Sequence, residues 1–250
     1  MDWDIRTYAE LDSTNTQARR MAQEGVGGGL VVVAEKQSAG RGRQGRSWES
    51  PAGENLYFSI LLQPELAPEN APMLTLVMAY SVARVLRERE GFDLRIKWPN
   101  DLVLAGKKVC GILTEMHLED EKIEDVIVGV GINVNTRAFP AELVDKASSL
   151  FLESGNVFER QSLLEEILKE FAPQYERFLK VQDLSFLQED YNALLVNRER
   201  EVRVLEPGAE YEGIAKGINA RGELLVESAD GELRKVFAGE VSVRGLYGYV

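Results

Sequence analysis

The feature that most constrains the fold is an abrupt change of pattern after Asn197. Before this residue, short apolar runs alternate with stretches of helical periodicity, which indicates a mixed α/β domain. After it, short strand-like segments are separated by turn sequences at residues 207–208, 219–222 and 230–231. This spacing is typical of a small all-β module. The sequence therefore predicts two domains, at residues 1–195 and 196–250.

The larger domain shows the alternation in detail. Residues 12–15 can cap a helix that ends near Gly25, and a helical period over residues 73–89 stops at Gly91. A turn at residues 105–106 joins the strands of a hairpin. We expect further strands at residues 30–34, 55–62, 94–97 and 123–134, and helices at about 160–180, bent at Pro173, and 184–196.

Charge and composition restrict the partners. The net charge of this 250-residue chain is −12, and nucleic acid is a poor partner for it because binding requires clustered Lys and Arg. No apolar run approaches the about 18–20 residues of a membrane span, and the first four residues do not resemble a signal peptide. The single cysteine, Cys110, excludes an internal disulfide. We therefore expect a soluble cytoplasmic protein that binds neither nucleic acid nor membrane.

Residues 36–48, here called the glycine–arginine loop, stand out against this acidic background. Four basic side chains and three glycines fall within the loop, and no acidic residue lies between them. Glycine lets the backbone approach a ligand closely, and arginine suits phosphate and carboxylate groups. The loop can therefore close over an adenylated acid, although a mobile, solvated basic loop explains the same residues equally well.

The glycines of this loop also match two familiar nucleotide motifs. Gly40, Gly42 and Gly45 fit the dinucleotide pattern literally, and the same window nearly fits a P-loop. Both motifs require a helix directly afterwards, whereas an extended stretch follows here. A kinase glycine-rich loop is excluded because the chain has neither of the accompanying kinase triplets. We interpret these matches as accidental.

Two further segments carry groups suited to phosphate chemistry. Residues 97–101 end a strand and place an ammonium, an amide and a carboxylate close together, which suits phosphate, base or metal, or else simply caps a turn. Lys108 begins an apolar strand, and alternation puts it on one face with Cys110 and Ile112. It can stabilise charge on an acyl or phosphoryl oxygen, or it is an edge-strand lysine that reaches solvent.

A fourth segment, residues 128–135, is a strand with two glycines, Gly129 and Gly131. Glycine is costly inside a strand and often marks the close approach of a ligand, with a bulge as the alternative. Asn133 ends the strand with an amide that suits a base or a phosphate.

Taken together, these segments resemble the motifs of the biotin–protein ligases. The matching positions are residues 12–15, 40–46, 97–101, 108–111 and 129–133, and with the small C-terminal module they cover nearly the whole chain. The resemblance implies an α+β fold with a mixed-sheet catalytic domain, similar to that of lipoyl ligases and, distantly, class II tRNA synthetases. It also implies an SH3-like C-terminal β-barrel.

The resemblance also implies roles for single residues. Lys108 and Arg43 are the expected catalytic cations. Biotin is expected to contact Ser13, Thr14, Asn15, Gln37, Gly40, Arg41, Lys108 and Gly111. ATP or the adenylate is expected to contact Arg43, Arg46, Trp48, Lys97, Asn100, Asp101 and Asn133. No resident metal ligands are expected, and Mg²⁺ acts together with ATP.

The activity so implied is activation of biotin by ATP to biotinyl-5'-adenylate, followed by transfer to a lysine of a biotin carboxyl carrier protein. Some family members carry an N-terminal DNA-binding domain; only twelve residues precede Ser13 here, so no DNA binding is expected. Family members often dimerise through the catalytic sheet, and the sequence leaves the oligomeric state open. A lipoate–protein ligase, a non-catalytic biotin sensor and a general nucleotide-binding module are the alternatives.

Overall fold

The computed structural model describes residues 1–205, 210–238 and 242–245. Its larger sheet is built from seven strands in the order β1-β2-β3-β7-β6-β5-β4. Only the β1–β2 pair is parallel, so the sheet is mixed, as predicted. The strands are β1 (Asp4–Tyr8), β2 (Leu30–Ala34), β3 (Leu56–Leu62), β4 (Arg95–Lys97), β5 (Asp101–Leu104), β6 (Lys107–Glu119) and β7 (Lys122–Ile132).

Helices cover both faces of this sheet. The helices are α1 (Thr14–Gln23), α2 (Met73–Glu90), α3 (Leu150–Ser154), α4 (Arg160–Val181) and α5 (Gln188–Leu194). On one face, α1 packs its buried Ala18 and Met21 against a small apolar cluster that includes Leu61 of β3. On the other face, α2 and α4 join the large core, to which β3 contributes Phe58 and Ile60. Because side chains alternate along a strand, Ser59 points to the α1 face, where the apolar cluster is small.

The C-terminal module is a separate antiparallel sheet, as predicted, and has the SH3-like character expected of it. Its strands are β8 (Arg200–Leu205), β9 (Tyr211–Ile218), β10 (Leu224–Ser228), β11 (Leu233–Val236) and β12 (Ser242–Gly245), in the order β11-β10-β9-β8-β12. The predicted turns at residues 219–222 and 230–231 are present, with Gly222 and Gly231 at positive φ. The predicted turn at residues 207–208 lies outside the described residues.

Hydrogen bonds join the two sheets near the end of β4. The indole N–H of Trp98 donates to the carbonyl oxygen of Gly222 at 3.0 Å. From α5, Gln188 Nε2 and Asn192 Nδ2 both donate to the carbonyl oxygen of Ile218, at 2.9 and 3.1 Å. The module is therefore held against the edge of the larger sheet that carries residues 97–101. The domain boundary near residue 195 stays a prediction.

Several elements differ from the sequence-based expectation. Strand β1 was not predicted because most of its side chains are polar and exposed, so it carries no apolar run. Helix α3 has five residues, too few to show a helical period. The last helix is shorter than expected, and α4 continues through Pro173.

The expected face of Lys108 is wrong. The pairing of β5 with β6 shifts register, so that Leu102 lies opposite Cys110 whereas Val103 lies opposite Lys108, and Val109 is an extra residue. Such a bulge breaks the simple alternation of side chains. Val109 and Cys110 both enter the large core, and Lys108 turns to the α1 face.

Candidate active site

Three glycines leave the middle of the sheet without side chains on the face that carries α1. Gly111 of β6 lies opposite Gly131 of β7, and Gly129 lies two residues before Gly131. A Cβ atom at Gly131 would lie 2.6 Å from the indole of Trp48, and one at Gly129 would lie 2.0 Å from Asn15 Oδ1. No register shift occurs at these positions, so close packing explains the glycines and a bulge does not.

The three glycines form the floor of a pocket. The N-terminus of α1 forms the polar wall of this pocket. Thr14 N–H donates to Gln37 Oε1 at 2.9 Å, and Gln37 Nε2 donates to Ser50 Oγ at 2.9 Å. Ser50 Oγ in turn donates to the carbonyl oxygen of Trp48 at 3.0 Å. Ser13 precedes the helix and its side chain makes no capping hydrogen bond. The wall therefore fixes the amide of Gln37 between α1 and the end of the glycine–arginine loop.

The glycine–arginine loop folds back on itself over the pocket. Trp48 N–H donates to the carbonyl oxygen of Gly40 at 2.9 Å, and Gly42 N–H donates to that of Arg46 at 2.7 Å. A Cβ atom at Gly40 would lie 2.4 Å from the carbonyl oxygen of Trp48, so only glycine fits there. The loop contains a single 3-10 turn and leads into β3. No helix follows the glycines, so the dinucleotide and P-loop matches are indeed accidental.

Lys108 places a cation over the glycine floor. Its ammonium lies 2.6 Å from Asp101 Oδ1 and 5.0 Å from the centroid of the Trp48 ring. Its backbone is held by residues 146–148, because Lys108 N–H donates to the carbonyl oxygen of Lys146 and Ser148 N–H donates to that of Lys108. A positive charge is therefore fixed at one end of the pocket.

Arg43 supplies a second cation at the same end. Its guanidinium donates to Asn100 Oδ1 at 2.9 Å and to the carbonyl oxygen of Ala238 at 3.2 Å. Burial lowers the pKa of Arg43, and the charge of Asp101 partly opposes this. The guanidinium nevertheless stays charged at neutral pH because its intrinsic pKa is so high. Asn100 is held in turn, since its Nδ2 donates to the carbonyl oxygen of Ile112 at 3.0 Å.

Most of the residues expected from the sequence meet in this one pocket. Those that line it are Ser13, Thr14, Asn15, Gln37, Arg41, Arg43, Trp48, Asn100, Lys108 and Gly111. Five expected residues lie outside its lining. Asp101 pairs with Lys108 from behind, and Gly40 packs behind Trp48. Asn133 donates a hydrogen bond to the carbonyl oxygen of Ser148, and Lys97 is buried at the end of β4. Arg46 is exposed and donates a hydrogen bond to Gln44.

Other residues of the site received no assignment from the sequence. Gly42, Ile112, Leu113 and Val130 line the pocket beside Gly129 and Gly131. Behind the lining, Glu115 accepts a hydrogen bond from Asn15 Nδ2 at 2.7 Å and pairs with Arg41. Ser59 is fully buried between Thr14 and Asn15. A serine within an otherwise apolar strand was the one signal that pointed to Ser59.

Other functional classes find no support among the described residues. No three His, Cys, Asp or Glu side chains come together there to hold a metal ion. Burial raises the pKa of the Cys110 thiol, which disfavours the reactive thiolate. No helix in the part of the chain that the structure describes is long and apolar enough to cross a membrane.

Comparison with known proteins agrees with this site. Residues 8–133 match the biotin/lipoate A/B protein ligase family, and residues 199–244 match the biotin protein ligase C-terminal domain. The chain is 37% identical over 237 residues to the bifunctional ligase/repressor BirA of Bacillus subtilis, covering 93% of this chain and 72% of that protein. It is 34% identical over 232 residues to the biotin–[acetyl-CoA-carboxylase] ligase of Paracoccus denitrificans, covering 89% of this chain and 94% of that protein.

A solved structure extends the likeness to three dimensions. The biotin protein ligase of Aquifex aeolicus in complex with biotin and ATP superposes with a TM-score of 0.85 and 32% sequence identity, covering 97% of this chain and 99% of that chain. The likeness spans both the catalytic sheet and the C-terminal module. The chain therefore belongs to the biotin/lipoate A/B protein ligase family, within which it is a biotin–protein ligase.

Proposed function

We propose that this ligase activates biotin with ATP as biotinyl-5'-adenylate and transfers the biotinyl group to a lysine of a biotin carboxyl carrier protein, with Lys108 and Arg43 at the reacting atoms. The observation that carries the assignment of roles is the position of Lys108. Its ammonium is held by Asp101 at 2.6 Å at the end of a pocket whose other wall is neutral and polar. Such a pocket suits a molecule with a polar uncharged head and a carboxylate at its far end.

Biotin has this distribution of groups. Its ureido ring would lie against the wall formed by Ser13, Thr14, Asn15 and Gln37, where amide and hydroxyl groups can pair with it. Its apolar sulfur-containing ring and its chain would lie over Gly129 and Leu113. The carboxylate would then reach Lys108, where a fixed cation offsets its charge. Gly40, Arg41 and Gly111 complete the proposed biotin contacts.

ATP is proposed to bind at the Lys108 end of the pocket as its Mg²⁺ complex, in which oxygens of the triphosphate would supply most of the protein-independent ligands of the metal. Mg²⁺ usually takes one or two protein carboxylates in addition to phosphate oxygens, and Asp101 is the carboxylate beside Lys108. The indole N–H of Trp48 is buried without a hydrogen-bond acceptor among the described residues, which suits contact with a ligand. The remaining proposed nucleotide contacts are Arg43, Arg46, Lys97, Asn100 and Asn133.

The chemistry follows from these charges. A carboxylate oxygen of biotin attacks the α-phosphorus of ATP, and pyrophosphate leaves. Two anions must meet in this step, so Lys108 and Arg43 lower its barrier by offsetting their repulsion. In the second step the uncharged amine of the acceptor lysine attacks the acyl carbon, AMP leaves with the bonding electrons, and the amine loses one proton. The nucleophile belongs to the acceptor, so no Ser, Cys or His of this chain is required.

The glycine–arginine loop is proposed to keep water from the acyl-adenylate between the two steps. An acyl-phosphate hydrolyses readily, and closed loops exclude water from such intermediates. The loop already packs over the site, through the pairing of Arg41 with Glu115 behind the pocket lining and through the close approach of Trp48 to Gly131. We place the reaction in the cytoplasm, where ATP is available, with no nucleic acid partner and with a homodimer as the proposed assembly.

The deciding experiment incubates the purified chain with MgATP, biotin and a biotin-carrier domain, and follows label on the carrier, with lipoate in a parallel reaction. We expect biotin transfer that depends on ATP and is abolished in Lys108→Ala. The matched control is Lys107→Ala, because Lys107 lies next along β6 and reaches out to the carbonyl oxygen of Val144. Transfer of lipoate alone would reassign the chain to the lipoate ligases, and biotin binding without transfer would indicate a sensor.

A further inference from the structure

We propose that Glu115 is a positioning residue that determines which atoms of the pocket accept hydrogen bonds from the ligand. The inference rests on the proposed function and goes beyond it, because Glu115 does not line the pocket. It lies on β6, on the same face as Gly111 and Leu113, and only about a quarter of its side chain is exposed. It acts through two intervening side chains, Asn15 and Ser59.

The first step concerns the amide of Asn15. Its Nδ2 donates to Glu115 Oε2 at 2.7 Å and to the carbonyl oxygen of Leu113 at 3.3 Å. A carboxylate and a carbonyl can only accept hydrogen bonds. Turning the amide around would set two acceptors against its oxygen, so Glu115 and Leu113 fix Asn15 with Nδ2 towards β6 and Oδ1 towards Ser59. Asn15 is buried and packed against Gly129, which leaves its amide these two opposite orientations, and the acceptors on β6 decide between them.

The second step concerns the hydrogen of Ser59. Ser59 Oγ is fully buried and lies 2.6 Å from Asn15 Oδ1 and 2.7 Å from Thr14 Oγ1. An amide oxygen has no hydrogen to give, so the only hydroxyl hydrogen of Ser59 must go to Asn15. The close contact with Thr14 is then a hydrogen bond only if the Thr14 hydroxyl donates to Ser59.

The third step leaves Thr14 as an acceptor. The other neighbour of Thr14 Oγ1 is Gln37 Oε1, which is farther away, at 3.2 Å, and already accepts the N–H of Thr14 at 2.9 Å. The hydrogen of the Thr14 hydroxyl therefore points to Ser59, and its two lone pairs are left to accept from a molecule in the pocket. The ureido ring of biotin carries two N–H donors, whereas the dithiolane ring of lipoate carries none.

Glu115 therefore favours a ligand with N–H groups, although it never touches that ligand. Without the carboxylate, Asn15 can turn around, Ser59 can donate to Thr14, and Thr14 can present its hydrogen to the pocket. Two donors would then face each other when biotin binds. A site built for one hydrogen-bond pattern discriminates strongly because a mismatch leaves buried groups unpaired.

The test is a double-mutant cycle on the dissociation constant of biotin, measured by calorimetry without ATP. Glu115→Ala should weaken binding about tenfold, a loss in the range of one buried hydrogen bond. Thr14→Val, which keeps the shape and removes the hydroxyl, should cause a similar loss. In the double variant, Glu115→Ala should add less than about twofold, because its effect passes through the missing hydroxyl. Losses that multiply would overturn the inference.

Glu115 also forms an ion pair with Arg41. A second variant separates this ion pair from the relay, by which we mean the chain of hydrogen bonds from Glu115 through Asn15 and Ser59 to Thr14. Ser59→Ala breaks the relay but leaves the ion pair in place, so it should weaken biotin as much as Glu115→Ala. Wild-type affinity in Ser59→Ala would show that the loop contact alone matters and would overturn the proposal. Glu119→Ala, at the exposed end of the same strand, is the control and should leave the affinity unchanged.

Thermal unfolding of each variant establishes that the fold is intact. Failure of this inference and failure of the proposed function give different results. A wild-type chain that does not bind biotin removes the proposed function and the inference with it. A wild-type chain that binds biotin, together with multiplying losses in the cycle, removes the inference alone.

Discussion

Arg43 of the glycine–arginine loop donates a 3.2 Å hydrogen bond to the carbonyl oxygen of Ala238, 195 residues away in the C-terminal module. The same guanidinium donates to Asn100 Oδ1 at 2.9 Å. One side chain therefore joins the loop, the end of the catalytic sheet and the module. We therefore expect closure of the loop and docking of the module to be coupled at the proposed nucleotide end of the pocket.

Arg43→Ala should impair the use of ATP far more than the binding of biotin. We expect kcat/KM for ATP in pyrophosphate release to fall about 100-fold, because a fixed cation that stabilises transition-state charge contributes on this scale. The dissociation constant of biotin without ATP should change less than about threefold. Lys36→Ala is the comparison, since Lys36 is a cation of the same loop that lies outside the pocket lining and pairs with Glu10 at 3.0 Å. An equal loss in both variants would show that the net charge of the loop is what matters.

The sequence predicted the members of the site better than their arrangement. Thr14, Gln37, Arg43 and Trp48 were identified because the segments that contain them resemble motifs of the biotin–protein ligases, and all four line the pocket. The direction of Lys108 could not be predicted, since it depends on a bulge opposite β5. A bulge is a property of strand pairing and leaves no mark in the strand's own pattern of residues.

Glu115 and Ser59 show the other limit of the sequence. Asn15 and Glu115 lie 100 residues apart, and Asn15 and Ser59 lie 44 apart. Ser59 is marked only as a serine in an apolar strand, Glu115 carries no such mark, and the role of both exists only when three elements come together. The alternation of β6 and β3 does predict the face of each residue, but it does not predict which neighbour that face meets.

Gly131→Ala should damage the nucleotide end of the site while sparing the fold. The new Cβ atom would lie 2.6 Å from the indole of Trp48, so the ring must move away. Trp48 is only partly buried, and the displacement is therefore possible without unfolding. We expect the KM for ATP to rise about tenfold or more, with a loss of stability below about 2 kcal/mol, measured by initial rates and urea unfolding.

Gly27→Ala is the control for this variant. A Cβ atom there would have its nearest neighbour at 3.8 Å, and its φ is not positive. It should leave both the KM for ATP and the stability within error of the wild type. A KM for ATP in Gly131→Ala that matched this control would mean that the position of Trp48 does not govern nucleotide binding.

Trp98→Phe should loosen the C-terminal module. The substitution removes the indole N–H that donates to Gly222 and leaves a buried carbonyl oxygen unpaired, at a cost of about 1–3 kcal/mol. We expect a lower midpoint of urea unfolding and faster proteolysis near the module. Trp3→Phe also removes an indole N–H, at a ring that packs on Phe171. It should change the midpoint of urea unfolding and the rate of proteolysis less than Trp98→Phe does. Equal effects would contradict a specific role for the Gly222 contact.

Tyr57 should make the stability of the enzyme depend on pH in alkaline solution. Burial raises the pKa of Tyr57 from 10.0 to about 12, and its hydroxyl donates to the carbonyl oxygen of Pro51 at 3.2 Å, just beyond the glycine–arginine loop. In the unfolded chain this hydroxyl ionises near pH 10, so unfolding releases a proton at higher pH and the folded state loses stability as the pH rises.

Tyr57→Phe should therefore be less stable than the wild type at pH 7, by about 1 kcal/mol for the lost hydrogen bonds. The difference should narrow above pH 10 and change sign before about pH 12, because the wild type loses up to about 1.4 kcal/mol per pH unit through this group. The measurement is the free energy of unfolding in urea for both proteins across this range. A difference that stays constant with pH would show that Tyr57 ionises as readily in the folded protein as in the unfolded chain.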